Sequence, residues 1–93
     1  MNFDWDDGKN TANLAKHNVS FFEAQSAFAD PLRVIARDLT HSKTEERFYC
    51  FGKVQGGVLT VRFTYRGGVV RIIGAGHWRK GKAVYETENH LHE

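Results

Sequence analysis

A chain of 93 residues is long enough for one small hydrophobic core and too short for two, so a single domain over residues 1–93 is expected. Its 41% hydrophobic and 13% aromatic content is ordinary globular composition and excludes a disordered tract, while a lone cysteine, Cys50, excludes an internal disulfide and fits a reducing cytoplasm. The formal net charge is only +2, no apolar stretch approaches the roughly 18 residues that span a bilayer, and no basic-then-apolar leader opens the chain, so neither a membrane nor an export route is expected.

Asn2-Phe3-Asp4-Trp5-Asp6 alternates polar with aromatic residues, the pattern of a short strand that buries Phe3 and Trp5. Asp6 or Asp7 then caps a helix over Lys9 to His17, whose apolar stripe is Ala12, Leu14 and Ala15 and whose left-handed stop is Asn18. Ser20-Phe21-Phe22-Glu23 has the spacing of a capping box, which predicts a second helix with Phe21, Ala24, Ala27 and Phe28 on one face. Asp30-Pro31 ends it, because proline disfavours helical geometry in the residue before it. Leu32 to Arg37 reads as a strand and the polar stretch Asp38 to Glu46 as a loop.

Three strands follow, Arg47 to Val54, Val58 to Arg66 and Val69 to Ala75, separated by glycine-rich junctions that suit consecutive antiparallel hairpins. Alternation places Phe48, Cys50, Leu59, Val61, Phe63, Val70 and Ile72 on one face for helices to cover. The other face carries Arg47, Tyr49, Arg62, Thr64 and Arg71, with Arg33 and Arg37 continuing it. From Trp78 onward the spacing of Trp78, Val84, Tyr85 and Leu91 predicts a last helix, weakened near its start by Gly81. The expected fold is α+β: an antiparallel β-sheet with two N-terminal helices and one C-terminal helix, helices on one side and arginines on the other.

Charge is segregated more than the net value shows. Between Arg47 and Tyr85 stand Arg47, Lys53, Arg62, Arg66, Arg71, Arg79, Lys80 and Lys82, without one Asp or Glu. Such a stretch points to an anionic partner, and arginine suits phosphate because its planar fork donates two parallel hydrogen bonds. Tyr49, Tyr65, Trp78 and Tyr85 are placed to stack unpaired bases, which favours single-stranded RNA. Breaking a phosphodiester through its own 2′-hydroxyl needs a base, an acid and cations on the phosphate, so histidine with arginine suffices without metal.

His17, His41 and His77 are the candidate histidines, and His77 beside Arg79 and Lys80 has the most suitable company. Cys50 within Phe48 to Phe51 reads as a small buried hydrophobe. His90 and His92 match no standard zinc spacing, so no metal and no cofactor are expected. Gly74-Ala75-Gly76 is no dinucleotide fingerprint; its glycines end a strand or let an RNA backbone approach.

Phe3-x-Trp5-Asp6, Lys9, Asn13, Lys16-His17-x-Val19, Phe21, His41-Ser42-x-x-Glu45-Glu46-Arg47, Arg71-Ile72-Ile73 and Tyr85-Glu86 together resemble the BrnT family of bacterial toxins across nearly the whole chain. The resemblance implies a RelE-like fold and a ribonuclease toxin of a type II toxin–antitoxin pair that cleaves RNA and inhibits translation. It further implies a BrnA-type antitoxin as partner, with operator DNA reached only through that antitoxin. Two places depart from the family: Gly74-Ala75-Gly76 stands where Ser-Ala-Arg is common, and Asp7 stands where a proline usually starts the helix.

The resulting expectation has RNA across the open sheet face, with Arg47, Arg62, Arg71, Lys82 and Tyr85 binding it. His77 or His41 exchanges the proton, with His17 a further candidate. Glu46 orients a histidine or arginine, and Arg79 with Lys80 stabilises the transition state. The rival expectation is a catalytically degenerate module that pairs with an antitoxin or binds nucleic acid without cutting it.

Overall fold

Two tight turns fold the second half of the chain onto itself. Gln55 (φ 50) with Gly56 (φ 86), and Gly67 (φ 58) with Gly68 (φ 79), have positive φ at both central positions, the geometry that matches the twist of paired strands. In the computed structural model, which describes residues 1–91, these turns join β3 (Phe48–Val54), β4 (Gly57–Arg66) and β5 (Val69–Gly76) into an antiparallel meander. β2 (Val34–Arg37) adds antiparallel to β3. β1 (Phe3–Trp5) adds to β5 in parallel, giving a five-stranded mixed sheet in the order β1-β5-β4-β3-β2. The predicted antiparallel meander is present, and the parallel edge strand is the addition. The long polar stretch before β3 is a loop, as expected.

α1 (Asp7–His17) begins at the predicted cap, where the Asp6 carboxylate accepts from the Lys9 amide at 2.9 Å, and ends at left-handed Asn18 (φ 56). Its docking face is not the predicted one. Ala12, Leu14 and Ala15 are exposed, and the residue that α1 buries is Asn13. Asn13 Nδ2 donates to the carbonyls of Val19 and Ala75, each at 2.9 Å, and its Oδ1 accepts from the Ala75 amide at 3.1 Å. A helix with so little apolar surface is therefore fixed by satisfying backbone groups that burial would otherwise leave unpaired.

α2 (Phe21–Ala24) starts at Ser20, whose hydroxyl accepts from the Glu23 amide, and runs on as a 3-10 turn through Ala29. Phe21, Ala24, Ala27 and Phe28 are buried as the spacing requires. They meet Cys50, Leu59, Val61, Phe63, Val70 and Ile72 in the main core. Each fully buried large apolar side chain there contributes on the order of 1.5–3 kcal/mol.

α3 (Arg79–Glu88) corrects the expectation that all helices share one side. It packs on the opposite face, where Tyr85 and Val84 join Phe51, Val58, Val34, Ala36 and Tyr49 in a second, smaller core. Gly81 makes the close approach possible: a Cβ there would lie 1.9 Å from Thr60 Oγ1 and 3.1 Å from Phe51 Cδ1. A bulge between Arg62 and Phe63 helps, because Phe63 pairs with Ile72 while Arg62 pairs with Gly74, and the extra residue returns Gly74 and Gly76 to the α3 face. The same register moves Arg37. It pairs with Phe48, so it belongs to the main-core face and does not extend the arginine set.

Candidate functional site

Register arranges the α3 face of the sheet in rows, with neighbours about 4.8 Å apart across strands and successive same-face rows roughly 7 Å apart along them. The first row runs Asp4, Arg71, Thr64. Gly74, Arg62, Tyr49 and Ala36 form the second, and Gly76, Thr60, Phe51 and Val34 the third. α3 lies over the third row, with Gly81 against Thr60 and Phe51. The face that was expected to be open is half covered by α3; in the other half Arg62 and Arg71 are half-buried and Thr64 is 1% exposed, its hydroxyl donating to the Glu46 carbonyl.

Ion pairing then divides the cations. Arg71 Nη1 lies 3.5 Å from Asp4 Oδ1, Arg66 Nε 2.9 Å and Arg47 Nε 3.9 Å from Glu45, and Arg37 Nε 3.3 Å from Glu46 Oε2. The hydrogen bond from Arg66 is the largest influence on Glu45 and, with the nearby positive charges, holds its carboxyl below the usual range. The expected phosphate contacts Arg47 and Arg71 thus have carboxylate partners from the first half of the chain. Pairs this exposed are each worth about 0–1 kcal/mol, yet they cancel the field that would draw an anion from a distance. Glu46, expected beside a histidine or arginine, is ion-paired with Arg37, and among the described residues no ion pair joins it to a histidine. Among the described residues, no ion pair involves Lys53, Arg62, Arg79, Lys80 or Lys82.

Those free cations gather around the N-terminal half of α3. On one flank a groove of about 420 Å³ has Tyr49, Arg62, Thr60 and Phe51 as its floor and Lys80, Gly81 and Val84 as its wall. On the other flank a hollow of about 570 Å³ is lined by Lys53, His77, Arg79 and Lys82, with one carboxylate, Glu86, among them. Trp78 stands at both and caps α3 without a side-chain hydrogen bond. Its ring covers Gly76, where a Cβ would come within 2.7 Å, and touches His17 edge-on with centroids 5.1 Å apart. Gly76 therefore ends β5, as one of its two readings has it, and seats a tryptophan, which corrects the other reading, a place where an RNA backbone approaches.

Beside the second row lies a histidine with a carboxylate behind it. Asp38, 3% exposed, follows β2 and donates its backbone amide to the Arg47 carbonyl at 2.8 Å. Its Oδ2 lies 3.0 Å from His41 Nδ1, and its Oδ1 accepts from the amides of Thr40 and His41 at 3.1 and 3.3 Å. Burial pushes the Asp38 carboxyl up, but these hydrogen bonds outweigh it and hold the group below its ordinary value. The Tyr49 phenol is pushed up, first by burial and then by the Asp38 carboxylate, while Arg62 pulls it down; the three groups are neighbours. Ser42 ties the loop shut, donating to the Asp38 carbonyl and accepting from the Arg47 amide at 3.0 Å.

The structure so brings His41, Asp38, Tyr49 and Arg62 together, and places His77, Arg79 and Lys82 across α3 from Lys80. His17 sits against Trp78 at the end of α1, apart from the Asp38 cluster. Tyr85 leaves the set of RNA contacts, because it is 2% exposed and its hydroxyl donates to Asp30. Asp38 is the residue that sequence reasoning missed, and its only signal was a carboxylate three places before His41. Among the described residues no three His, Cys, Asp or Glu side chains converge as metal ligands, and His92 lies outside the described residues. No described helix is long and apolar enough to cross a membrane.

Against known proteins, the family model described as the ribonuclease toxin BrnT of a type II toxin–antitoxin system matches residues 5–81. No curated protein matches the chain.

Proposed function

We propose that this chain, which belongs to the BrnT family of ribonuclease toxins of type II toxin–antitoxin systems, cuts RNA without a metal on the α3 face of its sheet. A type II toxin has a protein antitoxin as partner; the partner assigned here is of the BrnA type, with operator DNA reached only through it. The consequence of cutting is inhibited translation in the cytoplasm.

The observation that carries the reading is the contact between buried Asp38 and His41. With its Nδ1–H donated to Asp38, the ring presents Nε2 as an acceptor in a fixed orientation. Nε2 takes the proton of an RNA 2′-hydroxyl. The 2′-oxygen then bonds to the adjacent phosphorus as the bond to the 5′-oxygen breaks, and the departing oxygen gains a proton. The products are a 2′,3′-cyclic phosphate and a 5′-hydroxyl. Arg62, which has no carboxylate partner among the described residues, is the sheet arginine assigned to stabilise charge on the phosphate. Lys53, His77, Arg79, Lys80 and Lys82 hold flanking phosphates and draw the strand in.

The test is cleavage of an end-labelled RNA by purified protein in the presence of a chelator. Cyclic-phosphate ends are expected, with a loss of about 10²-fold or more in His41→Ala and a comparable loss in Arg62→Ala, each variant still folded and melting cooperatively. The pairing of Arg47 and Arg71 favours a second reading, a toxin fold that binds RNA without cutting it. RNA that is bound and left intact by the wild-type protein decides for that reading.

A further inference from the structure

We infer that the groove between α3 and the second row of the sheet is a nucleobase site that takes one unpaired guanine of the RNA; the inference rests on the RNA reading above. A volume of about 420 Å³ falls within the range of small-ligand sites, roughly 300–1,000 Å³. Its lining is mainly apolar, and Tyr49 and Phe51 are stacked on each other in its floor, with centroids 5.7 Å apart and an interplanar angle of 24°. Trp78, 39% exposed, closes one end. Phe51 is 6% exposed beneath α3, so the ring surface that receives a planar group is that of half-buried Tyr49, with Phe51 backing it.

The polar groups choose among planar rings. Arg62 and Lys80 line the groove, no carboxylate does, and neither cation is engaged by one among the described residues. The two buried side-chain polar atoms without a partner among the described residues, Thr60 Oγ1 and Arg62 Nε, both belong to lining residues. Both atoms are closed to solvent, Thr60 Oγ1 beneath Gly81, so the donors left to face the groove are the Nη groups of half-buried Arg62 and the ammonium of Lys80. A site made of donors favours a base edge made of acceptors. Guanine offers N7 and O6 side by side to an arginine fork, whereas adenine offers N7 beside an amino group that would face another donor. Lys80 at the wall meets the phosphate that the base carries.

The experiment uses Trp5→Phe protein, in which Trp78 is the sole tryptophan, and follows its fluorescence during titration with GMP, AMP and ribose 5-phosphate. GMP is expected to quench it saturably, at least tenfold more tightly than ribose 5-phosphate and several-fold more tightly than AMP. Val84→Phe, which fills the groove from the helix side, should abolish the GMP response and leave the ribose 5-phosphate response unchanged. Arg62→Lys keeps the charge but loses the fork, and should bring GMP and AMP within twofold of each other; a full GMP preference in that variant overturns the role given to Arg62. Equal affinity for GMP and ribose 5-phosphate, or unchanged GMP binding in a folded Val84→Phe protein, overturns the site. Mononucleotides contain no bond that the proposed cleavage breaks, so this result stands or falls separately from nuclease activity.

Discussion

Gly81→Ala separates two pictures of the sheet's second face. In an exposed helix interior this change stabilises by up to about 1 kcal/mol, because alanine has the better helix propensity. Here a Cβ would sit 1.9 Å from Thr60 Oγ1 and within 3.2 Å of the Phe51 ring. Thr60 is a β-branched residue on a buried strand face, where χ1 is restricted: one turn of the side chain brings the methyl to the same place and the other drives both heavy atoms into the packed surroundings. Overpacking costs about 1–3 kcal/mol and a contact this close stands in the upper part of that range, about 2–3; with the propensity gain of about 1 subtracted, the expected net loss is about 1–2 kcal/mol. For a domain near this size each kcal/mol moves Tm by roughly 4–8 °C, so a fall of about 5–15 °C is expected by calorimetry. Thr60→Ala removes the atom in the way, along with a buried hydroxyl that has no partner, so the double variant should recover most of the loss. A Gly81→Ala protein that melts higher than wild type means that α3 does not press on β4, and the groove described above then has no wall.

Asp38→Asn keeps an acceptor for the Thr40 and His41 amides but removes the charge behind the imidazole, so cleavage should fall about 10²-fold with RNA affinity unchanged; equal loss of binding would point to a collapsed loop instead. Because the folded Asp38 carboxyl lies below its unfolded value of 3.8, its contribution to stability is complete above that pH and is lost as pH falls through the folded value; Asp38→Asn should therefore flatten the acid limb of a Tm–pH curve. Tyr85 is pushed up from 10.0 to about 12, first by burial and then by its hydrogen bond to Asp30, so its contribution is present below pH 10.0 and lost as pH rises toward 12. Tyr85→Phe should cost about 1 kcal/mol at neutral pH and give a shallower alkaline limb; an unchanged limb would assign the alkaline loss to other groups. Cys50 is fully buried and burial pushes its thiol up to about 12, so maleimide at about pH 8 should label it only after unfolding; prompt labelling of the native protein contradicts the packing of β3. In RNA binding measured against salt, Arg79→Ala and Lys82→Ala should each reduce the log–log slope by about 0.7, whereas Arg71→Ala, already paired with Asp4, should leave it nearly unchanged.

What the sequence disclosed was set by local physics. Alternating residues and glycine turns placed β3, β4 and β5 within a residue or two, and side-chain caps at Asp6 and Ser20 marked where two helices begin. These signals act over a few residues and need no knowledge of what lies across the fold. α1 was misread because its anchor is the amide of Asn13 bonding to Ala75, 62 positions away, and a polar residue carries no periodic signature of burial. α3 was assigned to the wrong side for a similar reason. Gly81 looked like a weak point in a helix, when its lack of a side chain is what lets the helix lie on Thr60. The arginine face was read from one half of the chain, and its neutralising carboxylates, Asp4, Glu45 and Glu46, come from the other half. His41 was legible as a histidine in a polar loop, but only the fold shows Asp38 buried behind it.

The two corrections, a helix on the arginine face and carboxylates beside half the arginines, act in the same direction. A broad, open and uniformly positive sheet would hold phosphate backbones of any form, single-stranded or duplex, by charge alone. α3 narrows that surface to a groove beside an aromatic floor, and among the described residues pairing leaves the free cations of this face on the helix, at Arg62 and at Lys53. A base can reach Tyr49 only if it is unpaired and turned out of its strand, since the bases of an A-form duplex are stacked inside it with a deep, narrow major groove that side chains cannot read. Proton transfer at a 2′-hydroxyl asks for the same freedom, because the attacking oxygen must come into line with the bond that breaks. The geometry that excludes a duplex from the groove is thus the geometry that the proposed chemistry at His41 requires, and the departures from the expected open face strengthen the case for single-stranded RNA.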